Sequence, residues 1–408
     1  MKGMHYNFKD IFRAARIGFS LQRIWINGLG LLASYIVYLV LTYVALLAGG
    51  HSLGSIWFKF GLLPCVFASG IPWYAWIIYV IGVIISLAII LMTNTAVSRA
   101  VYMVLREELF YTWTQAFKFA LKKWISVLGA MVTFIFMIAF FVVAAIIMGL
   151  IGQIPYVGEL GTTFLTIPYV LSAVLLFFII IVFGVAGFFV PAIIATSDED
   201  ALGGVFQSFS ISFNQPWRIV VYGAMVIVLE AVGIFLFAAA LKISYWIFIW
   251  LFSLGMGEKI LVIQSYALYI IDQAIPAVYG WIHSILGDVG NWVYLIHHHA
   301  APPSVPATYA ISSYMLAIFL IFIGGSVLAY GEAIGNAGLT LIYIILYQKQ
   351  EKESLLERED EELKEEEEEE GESETNAGTE EKSGEDNETI SPNEEEDSNN
   401  EEDDAEKE

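Results

Sequence analysis

One ionisable side chain, Glu230, lies well inside a long apolar stretch and is the best candidate for chemistry. It follows Trp217 by about 20 Å along a helix of 1.5 Å rise per residue. A charged carboxylate at mid-bilayer costs about 2.5–3.5 kcal/mol on insertion scales. We therefore expect Glu230 to face a bundle interior, either protonated or beside donors such as Tyr38 and Ser86. A proton- or cation-responsive site would need such a residue; a protonated, hydrogen-bonded packing residue is the alternative.

Other residues with possible chemistry form weaker patterns. His297–His299, with His283 and Asp288, have ligand atoms that bind Zn, Cu or Ni weakly. A proline-rich segment with loop composition follows them, so we expect incidental polarity and no metal site. Glu332 falls just beyond the sixth apolar stretch and is expected to mark the membrane interface rather than a site. Cys65 is the single cysteine, which excludes a disulfide framework within the chain.

The sequence contains no recognisable catalytic or cofactor motif. Nucleotide-binding glycine loops, zinc-protease helices and Cys-x-x-Cys pairs are missing, and no Ser/His/Asp arrangement stands out. We therefore expect no catalytic residue, no cofactor and no metal, and a protein that is not an enzyme.

The composition is that of a membrane protein with an acidic tail. Of the 408 residues, 57% are hydrophobic and 15% charged, whereas soluble domains have about 25% charged residues. Residues 349–408 hold 30 of the 42 acidic and 6 of the 20 Lys and Arg residues. The first 348 residues are therefore nearly neutral and very apolar.

Six stretches are long and apolar enough to cross a bilayer, which needs about 20 such residues per helix. Unpaired backbone groups are not tolerated in hydrocarbon, so an all-α transmembrane bundle is expected over residues 1–348. The predicted spans are Trp25–Gly49, Trp73–Ser98, Trp124–Gly152, Thr166–Thr196, Trp217–Leu241 and Tyr309–Tyr330.

Basic residues predict the orientation of these spans. With a cytoplasmic N-terminus, thirteen membrane-proximal Lys and Arg residues fall inside, and only Lys59, Lys242 and Lys259 fall outside. We therefore expect a multi-pass protein of the cytoplasmic membrane with both termini in the cytoplasm. The predicted interface anchors are Trp25, Trp124, Trp217, Arg13, Arg16, Lys118 and Lys122.

The outer segment 243–307 is apolar yet interrupted. Ile243–Leu254 is too short to span, and Lys259–Ser284 has Asp272 and Pro276 at its centre. Polar residues at helical spacing in it predict a helix that lies on the interface or dips into it. A seventh span, which would place the acidic tail outside, is the alternative.

A threefold repeat organises the chain. An amphipathic segment that ends in tryptophan precedes each odd-numbered span, and we interpret each as an interfacial elbow helix. Two short sequences also recur between units. The alternative is that any basic amphipathic segment beside a span has this composition. The elbows are Asp10–Trp25, Leu109–Trp124 and Ala201–Trp217; the recurring pairs are Gly129–Val132 with Gly223–Val226, and Asn94–Ser98 with Asn336–Thr340.

Phe188–Gly223 combines a Pro-Ala-Ile turn, an acidic cap, an elbow with a Ser-Phe pair and a Pro-Trp-Arg span start. This resembles the signature of uncharacterised bacterial and archaeal polytopic membrane proteins, including planctomycete-type hypothetical membrane proteins. More loosely, it resembles the membrane domain associated with glycerophosphodiester phosphodiesterases. The resemblance extends in pattern over most of residues 8–350 and implies architecture, because the class has no established reaction.

The C-terminal region changes character twice. Residues 349–370 contain oppositely charged pairs four residues apart, which predict a charged helical extension of the last span. Residues 371–408 have nothing to bury and are expected to be disordered. Such a tail is either solubilising or contacts a basic cytoplasmic protein, and it would repel nucleic acid.

These observations favour a non-enzymatic structural, assembly or accessory membrane protein, because the spans show little polar lining. A small-solute or ion permease with Glu230 in its pathway is the alternative. The sequence does not indicate an oligomeric state.

Overall fold

The computed structural model describes residues 4–67, 70–108, 110–275 and 305–358. Within these ranges the secondary structure is helical, without strands. The helices are α1 (Phe8–Ile11), α2 (Arg13–Gly18), α3 (Leu21–Ala48), α4 (Leu53–Phe60), α5 (Trp73–Leu105), α6 (Trp113–Lys122), α7 (Trp124–Ile151), α8 (Val157–Phe164), α9 (Thr166–Ser197), α10 (Ala201–Asn214), α11 (Pro216–Met256), α12 (Glu258–Ala274) and α13 (Ala307–Glu351).

Six of these helices are long and apolar enough to cross a membrane: α3, α5, α7, α9, α11 and α13, with 28 to 45 residues each. Each coincides with one predicted span, so the prediction of six long apolar helices is confirmed. Their outward faces are apolar and exposed; on α7, for example, Phe136 is 71% and Phe140 69% exposed.

Two of the long helices extend well beyond the predicted ends. α11 continues to Met256 rather than Leu241, because no proline interrupts it before Gly257 ends it with a positive φ of 60°. The segment Ile243–Leu254 is therefore part of α11 and not a separate outer element. α13 continues from the predicted end at Tyr330 to Glu351.

The long helices pair as three hairpins, and the second helices of the hairpins form the centre. α3 packs on α5, α7 on α9, and α11 on α13, while α5, α9 and α13 contact one another. Burial concentrates in the last turns of these three central helices: Thr93–Met103, Phe189–Ser197 and Ala329–Tyr347.

The short helices before each hairpin repeat one contact. α6 packs on α5, α10 packs on α9 and α7, and α2 packs on α13. Each short helix thus contacts the second helix of the preceding hairpin, and α2 closes the ring against the last hairpin. The same contact occurs three times, in the order in which the sequence places the three units.

Two further segments turn back, one along the C-terminal half of α3 and one along the N-terminal half of α13. After α4, three tyrosine hydroxyls of α3 donate to consecutive parts of the connection: Tyr43 to the Gly61 carbonyl at 2.5 Å, Tyr35 to Leu62 at 2.7 Å, and Tyr38 to Pro64 at 2.8 Å. The connection therefore reaches back to the middle of α3.

α12 packs along α13 and α11 through Ala267, Leu268 and Ile271. Its last carbonyl, on Ala274, accepts a hydrogen bond of 2.7 Å from the Leu62 N–H in the connection after α4. The helix predicted within 259–284 is present over Glu258–Ala274, and its place at a membrane interface stays a prediction. Pro276, His283, Asp288 and His297–His299 lie outside the described residues.

The end of the last helix differs from the prediction. α13 stops at Glu351, and Lys352 adopts a left-handed conformation with φ of 59°. Residues 352–358 form turns instead of the predicted charged helix, because Leu355 is buried and its carbonyl accepts a 2.7 Å hydrogen bond from Tyr102. The rest of the predicted extension and the tail 371–408 lie outside the described residues.

Candidate functional site

Three asparagines from three helices meet in the bundle. The Asn336 side chain on α13 donates its amide N–H groups to the Oδ1 atoms of Asn27 on α3, at 3.2 Å, and Asn94 on α5, at 3.0 Å. Asn27 and Asn336 are 1% and 4% exposed. One side chain thus fixes the positions of two carbonyl oxygens inside the bundle.

A small cavity lies beside these asparagines. It is lined by Asn27, Gly30, Leu31, Ile90, Thr93, Asn94 and Glu332, and its volume of about 10 Å³ has room for one water molecule or an ion of that size. Gly30 is required here, because a Cβ at that position would overlap the Thr93 side chain.

Further polar contacts lie between α3 and α5. Together with the three asparagines they form a line of polar groups that we call the polar seam. The Ser34 and Ser86 hydroxyls lie 2.6 Å apart, and each also lies 3.1 Å from the other residue's carbonyl oxygen. These serines are about 10 Å further along α3 than Asn27. Tyr35 and Tyr38 follow, so polar groups extend from the asparagines to the connection after α4.

Glu230 on α11 lies against α13, close to Glu332. A Cβ on Gly335 would be 3.2 Å from Glu230 Oε2, and one on Gly331 would be 3.6 Å from Oε1. The two glycines therefore create the flat surface on which this carboxylate rests. Glu332, between them in sequence, lines the cavity. It lies within α13 and not beyond the end of that helix, as the predicted span end at Tyr330 implied.

Neither carboxylate has a partner of its own among the described residues: Glu230 and Glu332 form no hydrogen bond and no ion pair there. The expected donors to Glu230 are engaged elsewhere, Tyr38 with Pro64 and Ser86 with Ser34. That prediction is wrong because α11, which carries Glu230, packs on α13, whereas α3 packs on α5.

A buried arginine stands one turn from the asparagines. The Arg23 Nε donates to the Ile17 carbonyl at 2.6 Å, and the Arg23 main-chain carbonyl accepts from Asn27 Nδ2 at 3.1 Å. Its Nη1 has no hydrogen-bond partner within the described part of the chain. Arg23 thus holds the last turn of α2 against α3, at the end of the polar seam.

The predicted anchors lie away from this site. Trp25, Trp124 and Trp217 are about half exposed, at 47%, 51% and 60%. Arg13 pairs with Asp10 at 3.4 Å. Arg16, Lys118 and Lys122 are on or next to α2 and α6, at the same end of the bundle as these tryptophans.

Sequence reasoning found Glu230 but missed the asparagines as a site. The match between Asn94–Ser98 and Asn336–Thr340 was the available signal, because equivalent positions of a ring of repeats face the same centre. Asn27 had no such signal.

No family model matches the chain, and neither the curated proteins nor the solved structures contain a match. The resemblance to polytopic membrane proteins of bacteria and archaea therefore stays a prediction.

Proposed function

We propose that this chain is a multi-pass protein of the cytoplasmic membrane, with six spans, cytoplasmic termini and three interfacial elbow helices. The exposed apolar faces of the six long helices support insertion, since lipid is the environment that suits such a surface. The uneven distribution of Lys and Arg supports the orientation.

The elbow helices are α1–α2, α6 and α10. Each buries mainly small or aliphatic side chains, with Phe119 of α6 as an aromatic exception, and large apolar side chains are exposed on or just before each helix, as expected of helices at a leaflet surface. The exposed residues are Phe8 and Phe12, then Phe110 and Trp113, then Phe206 and Phe213. The bilayer is thus the partner of this face, with the basic anchors at the headgroups.

Within this architecture, the protein acts as a small-solute or ion permease. The observation that carries this proposal is the pair of carboxylates, Glu230 and Glu332, inside the bundle without protein partners. An uncompensated intramembrane carboxylate is costly and is retained mainly along substrate and ion pathways. The expectation of little polar lining, which favoured a structural role, does not hold for the seam between α3, α5 and α13.

The turned-back segments support the same proposal. α4 and α12 both end near Leu62, whose carbonyl bonds to Tyr35 halfway along α3. Permeases place the ends of discontinuous helices near the midplane, where non-helical backbone is tolerated only if protein or a cavity surrounds it.

A flux measurement tests this function. The full chain is reconstituted in liposomes, and entry of Na⁺, K⁺, protons, urea and glycerol is followed separately with indicator dyes or light scattering. We expect uptake of at least one probe that Glu230→Gln or Glu332→Gln reduces about tenfold or more. The exposed Glu159→Gln is the matched control. Equal rates in all variants and empty liposomes would overturn the proposal.

A structural or assembly role is the second candidate, and it is non-enzymatic as well. The packing of residues 352–358 favours it. The Tyr6 hydroxyl hydrogen-bonds to the Ser354 hydroxyl, and the Tyr102 hydroxyl donates to the Leu355 carbonyl, so the segment just before the acidic tail is held on the bundle. A basic cytoplasmic protein is the expected partner of this tail.

Purification in mild detergent tests this candidate, with the full chain compared with a chain that ends at residue 358. We expect a basic protein to co-purify with the full chain only, and to dissociate between 0.1 M and 1 M salt, because exposed charges are screened within about 10 Å at 0.1 M. Retention by the shortened chain, or at 1 M salt, would contradict a tail-mediated contact.

A further inference from the structure

Four of the residues that line the cavity beside the asparagines carry side-chain oxygen atoms: Asn27, Thr93, Asn94 and Glu332. Asn27 Nδ2 donates to the Arg23 carbonyl at 3.1 Å, and the Thr93 hydroxyl donates to the Ile89 carbonyl at 2.8 Å. Asn336 Nδ2 donates to both neighbouring asparagines, which occupies one lone pair on each of their Oδ1 atoms. The Asn27, Thr93, Asn94 and Glu332 oxygens therefore retain lone pairs that can coordinate a cation.

From this arrangement we propose that the cavity binds one dehydrated alkali-metal cation, coordinated by Asn27, Thr93, Asn94 and Glu332. The inference rests on the proposed permease function and names its substrate class. Asn336 is a positioning residue, because its amide holds the oxygens of Asn27 and Asn94 within reach of a single ion.

Size and charge both point to a monovalent ion. The cavity volume of about 10 Å³ fits one water-sized species, which excludes organic cations and sugars. Glu332 supplies one formal negative charge, and the other ligands are neutral oxygens. Calcium sites in proteins usually have several carboxylates, and the described residues contain no group of three His, Cys, Asp or Glu that could hold a metal ion.

An equilibrium binding measurement tests the inference without any flux. The thermal unfolding midpoint of the full chain in detergent is followed in NaCl, KCl and LiCl, against choline chloride at equal ionic strength. We expect a saturable upward shift with at least one alkali cation and none with choline. An equal shift in all four salts, which screening of the acidic tail alone would produce, would overturn the site.

Three variants locate the binding. Glu332→Gln and the nearly isosteric Thr93→Val are expected to weaken the cation effect about tenfold or more, which corresponds to 1.4 kcal/mol. Glu159→Gln, exposed on α8, should bind as the original chain does. If Glu332→Gln does not fold, Thr93→Val still tests the site. Unchanged cation affinity in Thr93→Val would mean that the cavity holds only a water molecule and would overturn the proposal.

The two proposals fail separately. Saturable binding that depends on Glu332 without any flux would remove the permease function and leave the cation site. Flux that depends on Glu332 without any alkali-specific shift would keep the permease and overturn the cation site, in favour of a proton or a neutral solute.

Discussion

Buried amides and carboxylates have different roles in this bundle. The Asn336 amide nitrogen donates to both Asn27 and Asn94, so this side chain contributes to the assembly of α3, α5 and α13. Glu230 and Glu332 contribute no hydrogen bond within the described residues. Two substitutions at these positions should therefore change the free energy of unfolding in opposite directions.

Asn336→Leu should lower the free energy of unfolding by about 1–2 kcal/mol, because it removes two hydrogen bonds that average about 0.6 kcal/mol each in membrane helices and leaves two carbonyl oxygens without a donor. Unfolding in SDS mixtures measures this. Asn214→Leu, at an exposed position of α10, is the matched control and should change stability by less than about 0.5 kcal/mol. Equal effects of the two changes would contradict the role of Asn336.

Glu332→Gln should raise the free energy of unfolding by about 1 kcal/mol or more, because a neutral amide costs less to bury than a carboxylate without a partner. The same SDS titration measures the change, with Glu159→Gln as the exposed control. A loss of stability in Glu332→Gln would mean that the carboxylate serves packing rather than an exchangeable ligand.

The helix elements show where local sequence and tertiary contacts differ. The N-terminus of α6 is capped by Thr112 and Gln115, which form a capping box. Before α10, Asp200 accepts from the Gly203 N–H, whereas Ser197 belongs to α9 and donates to Ile193. Which residue caps a helix therefore depends on where the preceding helix ends.

Close contact between α11 and α13 depends on glycine. A Cβ on Gly338 would lie 2.5 Å from Val226 Cγ2, a stiff β-branched side chain. Gly338→Ala should therefore lower the free energy of unfolding by about 1–3 kcal/mol, as measured in SDS.

Gly324→Ala is the matched control on the same helix, because nothing lies within 4 Å of its Cβ position. There the better helix propensity of alanine should raise stability or leave it unchanged. Loss of stability in Gly324→Ala as large as in Gly338→Ala would contradict this account of the α11–α13 contact.

At the largest scale, the six long helices of the described residues form a ring of three hairpins whose second helices meet at the centre. If six helices cross the membrane, both termini are on one side. The loops that carry α4 and the start of α12 are then on the other side.

Cysteine labelling measures this orientation. In a Cys65→Ser background, Glu380→Cys should not react with an impermeant thiol reagent in intact cells and should react after permeabilisation. Glu258→Cys, exposed at the start of α12, should react in intact cells. Labelling of position 380 in intact cells would contradict the six-span topology, because an odd number of crossings would place residue 380 outside the cell.

Hydropathy and length were enough to predict the all-α class, the six long helices and their three-hairpin order. These features depend on local composition, so each long helix can be recognised from its own residues without knowing which helices it contacts. The ends of α11 and α13 were not predictable in the same way, because a helix continues past the apolar window until a residue such as Gly257 or Lys352 adopts positive φ.

The candidate site depended on packing that composition does not encode. Glu230 was visible as a charge in an apolar stretch, but its neighbours follow from which helices touch. Asn27, Asn94 and Asn336 are far apart in sequence. Each alone is an ordinary polar residue of a long helix. They converge because three helices cross at one level, and that crossing is set by the summed contacts of the whole bundle.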